Sequence, residues 1–111
     1  MRLGPLAPIG GQTISRPLVI ESEQFKLGRF VRRPYRVSLS QHPLGLSALA
    51  ARHLKNWCER QWPSTWYRSE WSFDSYSDTF EFRTNEQRFH FVIRWRGCDI
   101  RKEMDGPPET P

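Results

Sequence analysis

A chain of 111 residues has the length of one domain and room for one modest core. Charged residues make up 26% and hydrophobic residues 37%, so a globular chain this lean in aliphatics must draw on its 15 aromatics for buried area. No stretch is long and apolar enough for a membrane-spanning helix, Gly4 and Pro5 interrupt any leader-like run, and Cys58 and Cys98 are too few for a disulfide framework. The expectation is a cytoplasmic protein with no membrane partner.

The net charge of +5 is unevenly spread: residues 1–60 carry ten Lys or Arg against three Asp or Glu, and residues 61–111 carry seven against nine. Fourteen of the 17 basic residues are Arg, which suits planar contacts to carboxylate or phosphate.

Residues 1–24 hold Gly4, Pro5, Pro8, Gly10 and Gly11 without periodicity and read as an extended arm. Within them, Pro17 to Glu21 has the composition of a short edge strand. Residues 25–97 read as a single α+β domain, and residues 98–111 as a polar, Pro-rich tail.

The domain opens on a basic half, where Lys26, Arg29, Arg32, Arg33 and Arg36 interleave with Phe25, Phe30 and Tyr35 and no acid intervenes. Tyr35, Val37 and Leu39 alternate with Arg36, Ser38 and Ser40, the pattern of a half-buried strand. Leu46 to Trp62 is the organising stretch. Leu46, Leu49, Ala50, His53, Leu54, Trp57, Cys58 and Gln61 share one helical stripe. Ser47 is the natural N-cap, and Pro63 ends the helix because it lacks an amide.

Tyr67, Trp71 and Phe73 then share one face of a second strand. Asp74 to Asp78 is turn-like, and Phe80 and Phe82 alternate in a third strand, which makes an antiparallel hairpin. Residues 84–96 support two readings. Phe89, Phe91, Ile93 and Trp95 alternate as in a strand. Thr84-x-x-Gln87 fits a capping box, and with it Phe89, Val92 and Ile93 would form a helical face. The architecture is therefore one main amphipathic helix on a mainly antiparallel sheet, β-α-β-β-α or β-α-β-β-β. The first order leans toward a ferredoxin-like split β-α-β whose last strand is missing or short.

The ending Phe80-x-Phe82 … Phe91-x-Ile93-x-Trp95 resembles the close of many small proteins of tailed bacteriophages. Arg88 departs from that pattern, where a small residue is common. The resemblance implies a virion component, or a small protein acting on a host factor or defence system in the host cytoplasm.

No catalytic constellation stands out. His53, Cys58, His90 and Cys98 lack the short paired spacings of zinc sites, and neither His-Cys pair lies in a nucleophile context. Glu70, Asp74, Asp78, Glu81 and Glu86 cluster around the hairpin, where turns favour acids anyway. The expectation is no enzyme, no cofactor and no metal. The functional cue is the basic, aromatic stretch Lys26, Arg29, Phe30, Arg32, Arg33 and Arg36. It suits a protein partner or self-association, since Arg and aromatics dominate protein hot spots. The alternative is nucleic acid, with Arg on phosphates and rings on bases.

Overall fold

The computed structural model describes residues 16–105. The chain runs β1 (Val19–Phe25), β2 (Tyr35–Ser40), α1 (Ala48–Gln61), β3 (Trp71–Asp74), β4 (Thr79–Phe82), α2 (Asn85–Trp95) and α3 (Ile100–Asp105). The strands form one antiparallel sheet in the order β1-β2-β4-β3. The class is α+β, as the sequence implies. β4 lies between β2 and β3, so β2-α1-β3 is a split β-α-β unit. The place beside β2 that a last strand would take is filled by β1, from the front of the chain.

Alternation decides which side of the sheet is covered. Val37 faces Phe80 and Tyr35 faces Phe82 across β2 and β4, while Phe73 faces Phe80 and Trp71 faces Phe82 across β3 and β4. These side chains meet Leu54, Trp57 and Cys58 of α1 and Phe91, Val92 and Trp95 of α2 in one core. Trp57 is its hub, edge-on to Trp62, His90, Phe91 and Trp95 at centroid distances of 5.3–6.1 Å. The opposite face is polar. Ser38 hydrogen-bonds Thr79 across the strands at 2.9 Å, and Ser72 donates to Glu81 at 2.8 Å.

α1 begins and ends where its caps dictate. The Ser47 hydroxyl accepts from the Ala50 amide, and Trp62, just before Pro63, closes the last turn on the Cys58 carbonyl. Its buried stripe is Ala50, Ala51, Leu54, Trp57 and Cys58, with Leu49 half exposed. The stripe is thus turned toward Ala51 relative to the one read from spacing. At residues 85–95 the helix prevails over the strand. The Thr84 side chain accepts from the Gln87 amide and Gln87 answers the Thr84 amide, a complete capping box. The helix also separates residues that alternation grouped. Phe91 and Trp95 are fully buried, while Phe89 and Ile93 face solvent. The expected face of Phe89, Val92 and Ile93 is therefore corrected to Gln87, Phe91, Val92 and Trp95. Gly97 follows at φ +73°, the left-handed position that glycine occupies just past a helix end.

The fold takes in more chain than composition suggests. β1 covers residues 19–24 of the stretch read as an arm, and α3 covers residues 100–105 of the stretch read as a tail. Residues 1–15 and 106–111 lie outside the described residues. β1 is a weak strand by pattern because Glu23 sits on the helix side of the sheet, where an apolar residue would be expected. It pairs there with Arg88 and, at 2.8 Å, with Arg96. Arg88 thus acts as a clamp on the edge strand. α3 is held by Ile100, buried in the core, and by Glu103, which accepts from Arg94 at 2.9 Å. Among the described residues no helix is long and apolar enough to cross a membrane.

Candidate binding surface

Two loops meet at the end of the sheet where Phe25 pairs Tyr35 and Trp71 pairs Phe82. The first, residues 26–34, joins β1 to β2. The Phe25 and Tyr35 rings pack at 4.8 Å, and the Lys26 amide bonds the Pro34 carbonyl at 2.8 Å, so the base of the loop is closed. Val31 Cγ2 packs over Gly28, where a Cβ would lie 2.7 Å from it. The tip side chains are left outside: Leu27 is 81% and Phe30 87% exposed. The Arg29 guanidinium lies 5.9 Å from the Phe30 ring centre.

The second loop runs from α1 to β3. Thr65 and Arg68 bridge backbone to backbone at 2.8 Å, which forces Trp66 and Tyr67 out on a tight turn. Trp66 is 95% exposed and packs edge-on against Tyr67 at 5.1 Å. Glu59 anchors the loop by accepting from the Ser64 amide and from Trp71 Nε1. The hydrogen bond from Ser64 holds the Glu59 carboxyl below its ordinary value. Arg33 ties the loops together, donating from a terminal guanidinium nitrogen to the Ser69 carbonyl at 3.1 Å.

Three of the acids near this end are already engaged, while Glu86 in the first turn of α2 makes no ion pair among the described residues. Glu70 pairs with Arg68 and Arg83, Glu23 with Arg88 and Arg96, and Glu81 with Arg36. Burial pushes the Glu70 carboxyl up, but hydrogen bonds from Gln87 and Arg68 bring it to a net value below the ordinary one. Lys26, Arg29, Arg32 and Arg33 make no ion pair among the described residues.

Of the residues the sequence singled out, Lys26, Phe30, Arg32, Arg33 and Arg36 line one cavity of about 320 Å³ with Val31 and Glu81. It lies on the polar side of the sheet. Arg29 stands beside Phe30, outside the cavity. Arg36 differs from the rest in being bound to Glu81 through Nε at 2.7 Å. Leu27, Trp66 and Tyr67 complete the surface and were not singled out. Tyr67 was grouped with Trp71 and Phe73 on a strand face, but β3 starts only at Trp71. The signal in the sequence was Pro63-Ser64-Thr65, a turn-forming run immediately ahead of Trp66.

Of the other candidates, His53 and Cys98 meet at Glu103, which accepts from the Cys98 thiol at 3.1 Å and lies 3.7 Å from His53 Nε2. Cys58 is fully buried, His90 packs edge-on against Trp57 and Trp62, and His53 packs edge-on against Trp95. Among the described residues no three His, Cys, Asp or Glu groups come together as metal ligands. Asp74 caps its own turn, accepting from the Tyr76 amide, and Asp78 accepts from the Leu46 amide. No protein-family model, curated protein or solved structure matches the chain.

The thiols are held in their unreactive form. Burial drives Cys58 far above its ordinary value. Burial, then the hydrogen bond to Glu103, pushes Cys98 up to about 11. Both should resist alkylation near pH 7, since the thiolate is the nucleophile. Cys98 should begin to react only as pH approaches 11. A free thiol titrates near pH 8.5, so its contribution to stability is complete below that pH and is lost on rising toward 11. Alkylation of Cys98 at pH 7 at the rate of an unfolded control would contradict this.

Proposed function

We propose that this chain is a non-enzymatic protein-binding module that grips an acidic protein surface with the loop end of its sheet. The observation that carries the reading is Leu27 and Phe30, 81% and 87% exposed on a closed loop among cations that lack acid partners. Apolar tips within an Arg-rich rim resemble the anchors of protein interfaces. The Trp66–Tyr67 pair extends that surface by way of the Arg33–Ser69 bond. Sheet-face reading of single strands fits less well. The polar face carries Ser38, Thr79, Ser72, Arg36 and Glu81 and offers no stacking platform of the kind such readers use. The likeness of the chain's ending to tailed-phage proteins supports a host protein as the partner.

The test compares wild type with Leu27→Asp/Phe30→Asp in pull-downs from bacterial host lysate, with solution mass measured in parallel. Both residues lie outside the core, so the variant should melt within a few degrees of wild type. A protein retained in stoichiometric amount by wild type should be lost from the variant. Self-association, if that is the contact, should be lost likewise. Equal retention by the folded variant, or neither a partner nor self-association with wild type at low salt, overturns the proposal.

A further inference from the structure

The cavity beside the 26–34 loop has a chemistry of its own, with the exposed Phe30 tip as part of its wall. Lys26, Arg32, Arg33 and Arg36 all line it, and Glu81 is the one acid in its wall. Glu81 is engaged on both oxygens: it takes the Arg36 guanidinium on one and the Ser72 hydroxyl on the other. That pair is neutral, and three cations remain without a counter-charge. Like charges gathered around one concavity repel each other unless an anion enters. Arg33 adds a second observation. One of its two terminal nitrogens is held by the Ser69 carbonyl, while its Nε is buried with no partner. A buried donor left unpaired is costly, and more so on a charged group.

We infer that this cavity binds the phosphate of a nucleotide. Arg and Lys match phosphate oxygens. The volume of about 320 Å³ has room for one nucleotide unit, whether free or within a strand. Phe30 in the wall supplies an aromatic face of the kind on which bases stack. Glu81 is locked in its pair, so the lining holds no free acid or base, and the site binds its ligand without transforming it. The phosphate belongs either to a free nucleotide or to the backbone of a single strand. The inference shares Phe30 and the unpaired cations with the protein-binding reading but not Leu27 or Trp66, so Leu27→Asp alone should impair protein capture and leave phosphate binding unchanged.

The test titrates the folded chain with inorganic pyrophosphate, ATP and a short oligothymidylate by calorimetry, at low and at physiological salt. ATP or the oligonucleotide should bind, more weakly at the higher salt. Arg32→Glu and Lys26→Ala, both on exposed residues, should each weaken binding by about tenfold or more. Arg33→Lys, which keeps the charge but loses Nε, should weaken it as well. Glu81→Gln should tighten it. Tyr76→Ala, at the far end of the sheet, should leave it unchanged. Tighter binding of ATP identifies a free nucleotide, and tighter binding of the oligonucleotide identifies a strand. The inference is overturned if none of the probes binds at low salt, if Arg32→Glu binds like wild type, or if pyrophosphate binds as tightly as ATP and the oligonucleotide.

Discussion

Phe80→Ala should cost about 3–5 kcal/mol of folding stability. Phe80 is fully buried at the centre of the sheet and packs on Phe73, Phe82, Phe91 and Trp71, with centroid distances of 4.6–6.4 Å. With Val37 of β2 opposite it, its neighbours come from three strands and a helix, so no single segment can move to fill the void. A domain of this size is stable by roughly 5–15 kcal/mol, so the loss is a large share of the total and the variant approaches unfolding at the low end of that range. Urea unfolding followed by Trp fluorescence reads the loss directly. Trp95→Phe is the informative comparison. Trp95 is equally buried, but its Nε1 has no hydrogen-bond partner. Its replacement forfeits no hydrogen bond and keeps part of the ring, so it should cost less than Phe80→Ala, about 1–3 kcal/mol. If the two variants lose the same stability, the account of the core is wrong.

Gln87→Ala should cost about 2 kcal/mol, an unusual amount for a polar side chain on a helix. Gln87 Oε1 accepts from the Arg83 and Thr84 amides at 3.0 Å, and Nε2 donates to Glu70 at 3.1 Å. The Arg83 amide also bonds the Glu70 carbonyl, so the Thr84 amide is the group left orphaned. Glu70 loses one of the hydrogen bonds that keep its carboxyl ionised. Alanine's better helix propensity returns only a few tenths of a kcal/mol. Gln61→Ala, exposed at the end of α1, serves as control and should change stability by less than about 0.5 kcal/mol. Equal urea midpoints for the two variants would show that the capping box contributes nothing beyond propensity.

What could be read from sequence was local in origin. Ser47 and Pro63 fix the ends of α1 through groups within a few residues of the helix. Tyr35-x-Val37-x-Leu39 and Phe80-x-Phe82 declare their buried faces by alternation alone. The Thr84–Gln87 box was legible for the same reason, and it rightly argued for a helix where alternation argued for a strand. What escaped depends on partners distant in the chain. Glu23 looks misplaced on the buried side of β1 until Arg88 and Arg96, 65 and 73 residues later, are brought beside it. Phe89 and Ile93 read as core because the sequence shows hydrophobicity but not which way a helix is rolled. The binding surface divides in the same way. Its cations are a visible run, but their lack of acid partners is a tertiary fact. It arises because Glu23, Glu70 and Glu81 are taken by other arginines.

The antiparallel ladder also sets where further chain can be attached. Leu18 exchanges backbone bonds with Gly97 and Cys98, beside the Val19–Ser40 pair and therefore remote from Phe25 and Tyr35. A tag, tether or fused partner joined ahead of residue 16 departs from the rear of the molecule. On a sensor surface, such an anchor would leave Leu27, Phe30 and Trp66 pointing into solution.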